Sequence, residues 1–544
     1  MSSSRRPGGA PALSRRELLR GLCWLGAGCV PRSRPGPVSA RRDPVTIDLV
    51  ANGAGAGPQP VQLGLPLPPG FLDVDAADRV RVLDARGREL EAYTAALEPW
   101  RAGAAAGSVR SVLIQLRCDL AGARSQALQV RFDGRGRPRA PLFATEDTLR
   151  ARVGATEPRV LALVPPTWLC ASWVAGPQVA ASEAGPYVTY DRLVERSFPG
   201  SLAFARSTTA AHWLFDRTST WYKQYVRTGE VRYLRAAHAA AHFVRDHTQL
   251  EGPDAGVFTL KGVDGKYIYP QAMHLHYLLT GDARFRQTGE LMARFHRDRW
   301  DPWYQPTRYE PVSPDVDPEK DRRFWTPRHE AYGLLGVVHG WELTGDAAYA
   351  RRAREYGDAL AAHQAQPPDG RPPDGSWRQD WALYDPSESR LPGATSAWMT
   401  AILGAALFHY WLALGDDRVP EMIVRVCDFL DRKAFRPDGR VFYVVDCLGA
   451  DSVPEAPGVD PADPGTERHA LELAYLFAMG IYFSARAPAL RAEAPALRAR
   501  FRRRFDALYA QALALDLNQP PRAYNWAFHA SSQLLYFMLD PASP

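Results

Sequence analysis

Two segments of the chain place an arginine and a histidine side by side next to an acid. They are Arg328-His329-Glu330 and Glu467-Arg468-His469, and Glu472 follows the second segment by about one helical turn. Elimination from a uronate requires a base near C5, a proton donor for the leaving oxygen and a positive group on the carboxylate. Because histidine, tyrosine and arginine supply these groups, the segments predict a lyase site for an acidic polysaccharide. The predicted catalytic residues are Arg328, His329, Glu330, Arg468, His469, Tyr267 and His274.

Aromatic residues near the same segments are suited to holding a sugar. An indole presents a large, rigid apolar face on which a sugar ring can stack, and its N–H can still bind a polar partner. The expected ligand is therefore a polysaccharide or an oligosaccharide. The predicted substrate-binding residues are Trp213, Trp325, Trp377, Trp381, Trp398, Asn525 and Trp526.

Three alternatives to the lyase remain open at this stage. Hydrolysis would need two carboxyl groups across the scissile bond, which Glu330, Glu467 or a loop aspartate would supply. Successive helical residues point about 100° apart, so Arg328, His329 and Glu330 cannot all face one cleft, and helix capping or burial competes with a catalytic role. A non-catalytic glycan-binding protein that keeps the same scaffold is the third alternative.

The sequence predicts neither an organic cofactor nor a metal site. It contains no CxxC or HExxH spacing. The alternating acids of segment 315–321 are compatible with calcium, but the segment lacks the glycine of an EF-hand and a solvated loop is the default interpretation. Four cysteines follow residue 42, and Cys427 and Cys447 flank one turn-rich segment. They form the favoured disulfide if the compartment is oxidising, with buried reduced thiols as the alternative.

A recurring helix–turn phrase indicates the scaffold that would hold these residues. Glycines 229, 281, 345 and 415 are each followed by an acid, as at the end of one helix and the start of the next. Six apolar helices are predicted at 210–227, 268–280, 326–344, 394–414, 466–485 and 522–539. Five polar helices are predicted at 230–247, 283–298, 346–365, 417–433 and 492–514. The alternation predicts an all-α (α/α)6-type toroid over 207–544, with long loops and the site on one face.

Residues 43–140 have a different pattern. Apolar and polar residues alternate with a period of two, and turn-rich segments separate the alternating runs. This pattern predicts a β-sandwich-like domain of seven or eight strands. A transition segment at 141–206 has little clear periodicity. The fold class expected for the whole chain is therefore α+β and multidomain.

Residues 1–42 are predicted to be a leader. Ser14-Arg15-Arg16-Glu17-Leu18-Leu19 resembles a twin-arginine export signal, and the apolar stretch 21–30 is too short for a membrane span, which takes about 20 residues. Cleavage near Ala40 is preferred over lipid attachment at Cys29. The whole chain has a net charge of +6, and the leader holds nine Arg and one Glu, or +8, which leaves 6 − 8 = −2. Nucleic-acid binding therefore has no support, and a periplasmic or secreted location is expected.

The front of the chain also resembles a known family. The phrase GLPLPPGFL at 64–72, then RVLDARGRELEAY, Trp100 and GSVRSVLIQL at 107–116, is similar to the first domain of exo-rhamnogalacturonan lyase-like proteins. That family has the phrase W-x-D-G-S-V-R/K, of which Trp100 and 107–110 are present here, separated by an insertion and without the Asp. The resemblance implies a carbohydrate-active enzyme of the six-hairpin toroid class. It transfers no catalytic residue, because it covers only the front domain.

Overall fold

A computed structural model of the chain describes ten stretches. They are 44–53, 57–120, 124–134, 140–150, 156–300, 326–367, 371–378, 394–442, 445–446 and 467–540. Several predicted features lie outside the described residues, namely the leader 1–42, the acidic segment 315–321, Trp325, Trp381 and Cys447.

The front domain consists of two antiparallel sheets. Alternation in the sequence produces these strands, as in β1, where Val45, Ile47 and Leu49 are buried and the residues between them are exposed. One sheet has the order β3-β6-β1-β7 and the other β2-β5-β4. The strands are β1 Val45–Ala51, β2 Gln59–Pro66, β3 Arg81–Leu83, β4 Ala92–Pro99, β5 Val109–Cys118, β6 Ser125–Arg131 and β7 Val160–Leu163.

The segment expected to be transitional contains regular structure. It supplies β7, which pairs with β1, and then helices α1 (Pro166–Ala171) and α2 (Val188–Leu202). Pro199 and Gly200 interrupt the helical pattern of α2 in the sequence. The helix nevertheless continues to Leu202. The Gly200 N–H donates to Asn518 Oδ1 at 3.0 Å, and Tyr190 at the start of the helix packs edge-on against Phe528, with ring centroids 5.7 Å apart. Tertiary contact thus overrides local propensity.

Six buried helices form a closed circle in the second domain. Each contacts the next in chain order, and the sixth contacts the first. They are buried on nearly every side, and in α3 this includes the charged residues Arg217, Lys223 and Arg227. The six helices of this helix circle are α3 Arg217–Thr228, α5 Pro270–Thr280, α7 Pro327–Thr344, α9 Ala397–Leu414, α11 Ala470–Ser484 and α13 Ala523–Ser531, the last followed by the short α14 Leu534–Met538.

Six amphipathic helices pack outside the helix circle. Five were expected, and the sixth is α2, which contacts α13 and α12. Together the described residues contain 14 helices and an α+β arrangement. The five expected outer helices are α4 Val231–Asp246, α6 Ala283–Arg299, α8 Ala347–Ala365, α10 Val419–Lys433 and α12 Ala494–Leu513.

Four inner helices end in the turn that the repeated phrase predicts. Their C-terminal glycines, Gly229, Gly281, Gly345 and Gly415, have φ between 69° and 74°, a left-handed conformation that costs other residues about 1–2 kcal/mol. The acid after two of these glycines then caps the next helix through its side chain, as Asp282 and Asp346 do. The helix–turn interpretation of the repeat is therefore confirmed.

The β2-β5-β4 sheet packs on the helix circle with little space between them. The Ser111 hydroxyl on β5 donates to the Leu278 carbonyl at 2.7 Å, and the Tyr277 hydroxyl donates to the Leu97 carbonyl at 2.7 Å. Gly64 on β2 lies so close that an added Cβ would be 2.1 Å from the Leu278 oxygen. The two domains therefore share a close-packed interface near the end of α5.

One described helix, α9, is long and apolar enough to cross a membrane, and 83% of it is buried inside the protein. Its composition therefore matches its place in the helix circle.

Three of the cysteines are described, and all three are buried free thiols. Cys427 on α10 donates from Sγ to the Leu476 carbonyl at 3.4 Å, so it does not form the favoured disulfide. Cys118 and Cys170 are also reduced. The alternative of buried thiols holds for these residues, since a domain of this size builds a core without covalent crosslinks.

Candidate functional site

The loop that leads into α3 is strained. Phe215 and Asp216 are consecutive non-glycine residues with φ of 69° and 48°. Two neighbouring helices hold this backbone: Asn525 Nδ2 on α13 donates to the Leu214 carbonyl at 3.3 Å, and the Phe215 N–H donates to the Tyr269 hydroxyl at 2.9 Å. Strain that is held in place by its surroundings is a common property of functional sites.

Asp216 is a buried carboxyl with one oxygen available. Its Oδ1 accepts from the Ser219 N–H at 3.0 Å and so caps α3, whereas Oδ2 has no hydrogen-bond partner among the described residues. Burial raises the pKa of Asp216 to about 6, although Lys223 opposes the shift. The carboxyl can therefore hold or release a proton near neutral pH.

His469 and Glu472 form a buried pair at the start of α11. His469 Nδ1 makes a short hydrogen bond with Glu472, three residues later on the same helix face. Burial raises the pKa of Glu472, while His469 and Arg328 lower it. A carboxylate on one imidazole nitrogen fixes the tautomer and orientation of the ring, which leaves the other nitrogen available as a base.

Aromatic rings enclose the His469 imidazole on both neighbouring helices. Trp398 of α9 stacks on it with centroids 4.3 Å apart, and Trp526 of α13 stacks on it at 5.0 Å. Arg328 lies over the Trp398 ring, with Cζ 5.3 Å from the centroid. Trp526 is half-buried, so its indole is the accessible edge of this stack.

Two tyrosines complete the arrangement. Tyr332 and Tyr269 pack edge to face with centroids 5.5 Å apart. Burial raises the pKa of Tyr332 well above its usual value, and the charges of Arg328, Glu472 and Asp216 all act on its phenol. Charges from the starts of α3, α7 and α11 therefore act on one phenol. We call this set the central cluster, and it consists of Asp216, Tyr269, Arg328, Tyr332, His469 and Glu472.

The remaining predicted catalytic residues lie in other places. Nδ1 of His329 is 2.6 Å from the Thr326 hydroxyl, and the Trp300 indole stacks on the His329 ring at 6.0 Å. Burial lowers the pKa of His329 well below its usual value, so the imidazole is neutral. Glu330 is buried in α7, and Arg468 is partly exposed. The rotation between successive helical residues thus separates Arg328 from its two neighbours, as expected.

Tyr267 and His274, which were predicted together, are also separated. Tyr267 is half-buried near the central cluster, where burial raises the pKa of its phenol and Arg328 opposes the shift. His274 lies deeper on α5 and binds Glu98 of the front domain at 2.9 Å. His274 therefore belongs to the interface between the domains.

Two of the predicted sugar-binding tryptophans occupy core positions. Trp213 stacks on Phe243 with centroids 4.5 Å apart, and Arg217 covers it at 4.9 Å. Trp377 is 0% exposed and donates to the Leu360 carbonyl at 3.0 Å. Neither indole presents a face toward the central cluster. Trp398 and Trp526 border the central cluster, and Asn525 supports its strained loop.

The predicted catalytic set omitted Asp216, Glu472, Tyr269 and Tyr332. A signal for Glu472 existed, because His469 and Glu472 are three residues apart at the start of a helix. Asp216 also precedes Ser219 with the spacing of a helix cap, but a cap alone does not indicate a buried, strained carboxyl.

We expect the Asp216→Asn variant to gain stability relative to the native protein as pH rises above about 4, with most of the gain reached by about pH 6. Burial raises the pKa of Asp216 in the folded protein to about 6, from an ordinary value of 3.8. The protonated Asp216 carboxyl therefore contributes its full stabilisation below about pH 3.8. This contribution is lost as pH rises from about 3.8 to about 6, and the free energy of unfolding falls by up to about 3 kcal/mol. Asparagine keeps the cap and tolerates a left-handed φ.

Urea unfolding at about pH 4 and about pH 7.5 measures this effect. The exposed Asp417→Asn variant serves as the control and should be neutral at both pH values. An equal gain of Asp216→Asn at both pH values would contradict the raised pKa.

Comparison with known proteins identifies no close relative. No family model matches the chain, and no curated protein matches it. Among solved structures, a GH127 β-arabinofuranosidase is similar with a TM-score of 0.30 and 12% identity, over 57% of this chain and 49% of that chain. The match spans about half the length of that protein. A similarity of this extent does not define an activity for this chain.

Proposed function

We propose that the protein is a carbohydrate-active enzyme that cleaves an acidic polysaccharide by β-elimination. The observation that carries the proposal is the His469–Glu472 pair, which lies beside Arg328 and two tyrosines in a buried cluster. A glycan-binding protein needs aromatic surfaces but has no need for this convergence of ionisable groups. The convergence therefore favours catalysis over binding alone.

Each group has a role in the proposed elimination. Arg328 binds the uronate carboxylate and makes the proton at C5 more acidic. His469, oriented by Glu472, removes that proton through its other nitrogen. Tyr332 or Tyr267 donates a proton to the leaving oxygen, since their raised pKa values keep both phenols protonated. Trp526, half-buried beside His469, binds a sugar ring.

The scaffold supports the same proposal. The closed contacts of the helix circle and the six outer helices support an (α/α)6 toroid, which brings the first turns of its inner helices together on one face. Helix N-termini attract anions, so this face favours a uronate carboxylate. The proposal includes export, which rests on the sequence of residues 14–19.

Hydrolysis is the second candidate, and a specific observation favours it. Asp216 and Glu472 are two buried carboxyls with raised pKa values, and both act on the Tyr332 phenol. A hydrolase uses one carboxylic acid as the proton donor and a second carboxylate as the nucleophile or base. In that case the role of Arg328 would be to lower the pKa of Glu472, and it would have no uronate to bind.

The discriminating experiment uses matched substrates. The full chain is incubated with uronate polysaccharides and with the same polymers after chemical reduction of their carboxyl groups. A lyase is expected to produce the ultraviolet absorbance of the unsaturated uronate from the native polymers alone. New reducing ends without that absorbance would indicate a hydrolase, and neither signal on any substrate would favour a binding protein.

A further inference from the structure

A second cluster of ionisable groups lies between the two domains, away from the central cluster. His339 and Glu342 occupy one face of the last turns of α7, and His274 faces them from α5. Glu342 Oε2 is 3.0 Å from His339 Nδ1 and 3.8 Å from His274 Nδ1. The ligand atoms of all three residues lie within 4.8 Å of one another. Three such atoms can reach a common point at metal-binding distance.

The buried atoms of this group lack the partners that they need. Neither ring nitrogen of His339 has a hydrogen-bond partner among the described residues, and neither has Glu342 Oε2. The 3.0 Å approach of His339 to Glu342 therefore does not have the direction of a hydrogen bond. His339 is only 4% exposed, and an unsatisfied buried polar group costs about 1–3 kcal/mol. Buried ligand atoms that are close together and lack hydrogen-bond partners are what an empty metal site would show.

The surrounding contacts orient these ligands. His274 Nε2 donates to the Glu98 carboxylate of β4 at 2.9 Å, which leaves its Nδ1 directed at Glu342. Arg110 of β5 binds Glu98 and also Glu342 Oε1, each at 3.1 Å, which leaves Glu342 Oε2 for the common point. A carboxylate on the second nitrogen of a histidine is the usual outer support of a metal ligand.

The charge of the cluster also favours a cation. The two carboxylates Glu98 and Glu342 face one guanidinium, that of Arg110, each at 3.1 Å. A buried carboxylate is stable only when opposite charge or hydrogen bonds compensate it.

We propose that His274 Nδ1, His339 Nδ1 and Glu342 Oε2 bind a divalent transition metal of the zinc class. Two imidazoles and one carboxylate are a ligand set that zinc accepts, with a fourth position for water, whereas calcium and magnesium prefer oxygen ligands. His409 lies on the remaining side, with its ring centroid 5.8 Å from that of His339. The ion would connect β4, through Glu98 and His274, to α5 and α7, and so fasten the domains together.

Metal analysis of the full chain tests this site independently of any activity. The protein, freed of any histidine tag, is dialysed against excess zinc and then against metal-free buffer. We expect one zinc ion per chain by mass spectrometry, and the intense visible absorption of a four- or five-coordinate site after substitution with cobalt. The ion should be lost from His339→Ala. His339→Asn, which keeps an amide near the position of Nδ1, serves if the alanine variant does not fold.

Two further variants decide whether binding is specific to the cluster. Glu98→Gln should weaken zinc binding by about 10- to 100-fold, because it removes only the outer support of His274. His247→Ala, at the half-buried end of α4, should bind zinc as the native protein does. Absence of stoichiometric zinc from the native protein, or zinc that persists in both His339 variants, would overturn the proposal. In either case the cluster would be an ion-pair network without a metal.

Discussion

The Glu472→Gln variant is expected to lose turnover on its polysaccharide by about 100- to 10,000-fold, with little change in KM. A glutamine keeps the size of the side chain and a hydrogen bond to His469 Nδ1. It removes the negative charge that stabilises the imidazolium formed when His469 takes a proton. Because Glu472 is buried beside His469, solvent cannot replace that charge. Initial rates at saturating and limiting substrate separate the two kinetic parameters.

Three further variants make this result interpretable. His469→Gln should lose a similar factor, and the double variant should lose little more, because the pair acts as a unit. Glu355→Gln, on the exposed face of α8, should leave turnover unchanged. If Glu472→Gln retains turnover while Asp216→Asn abolishes it, the base is not the His469–Glu472 pair, and neither the elimination nor the hydrolysis that uses Glu472 is correct.

Replacing Arg110 by methionine is expected to lower the free energy of unfolding by about 3–5 kcal/mol when the measurement is made with a chelator present. The guanidinium lies 3.1 Å from both Glu98 and Glu342, and it also stacks on Trp100 at 4.7 Å. Methionine preserves much of the volume but leaves two buried carboxylates without a cation. Chemical unfolding, followed by fluorescence and by circular dichroism, measures the loss.

The control for this variant is an exposed ion pair of the same domain. Arg131 lies 3.8 Å from Asp133, and both side chains are more than 40% exposed. Arg131→Met should change stability by less than about 1 kcal/mol. A similarly small change in Arg110→Met would contradict the view that the interface depends on this guanidinium. Partial recovery of Arg110→Met by zinc would agree with the proposed metal.

The helices of the second domain were predictable from local sequence. A glycine followed by an acid at the end of an apolar segment indicates the end of one helix and the start of the next. Gly229 and Gly281 mark real helix ends for this reason. Helix α2 was not predictable, because Pro199 and Gly200 argue against a helix locally. Contacts with residues distant in the sequence stabilise it, among them Phe528 and Ser531 on α13. Sequence patterns record local preferences, and they do not record which distant surface covers a helix.

The central cluster, like the helices, was predictable only in part from the sequence. The two Arg-His segments predicted Arg328 and His469 as site residues, and both belong to the central cluster. They lie near each other because each is at the start of an inner helix. The segments also predicted His329, which rotates away to pack beneath Trp300. Asp216 was not among the predicted catalytic residues, because its importance comes from burial and a strained backbone, and the neighbouring residues in the sequence indicate neither property. His274 was predicted to be catalytic, but its grouping with His339 was not predicted, because His339 lies 65 residues later on a different helix.

The closure of the helix circle has a consequence for the order of events during synthesis. Tyr190 on α2 is hydrogen-bonded to Ser531 on α13 at 3.2 Å, across 341 residues of chain. Until the ribosome has released α13, both α2 and the flank of α3 have apolar surface without a partner. Such long-range contacts make folding slow and leave intermediates open to aggregation. We therefore expect the nascent chain to be prone to aggregation until its last helices emerge, and a premature stop near residue 520 to leave the contact between α2 and α13 unformed.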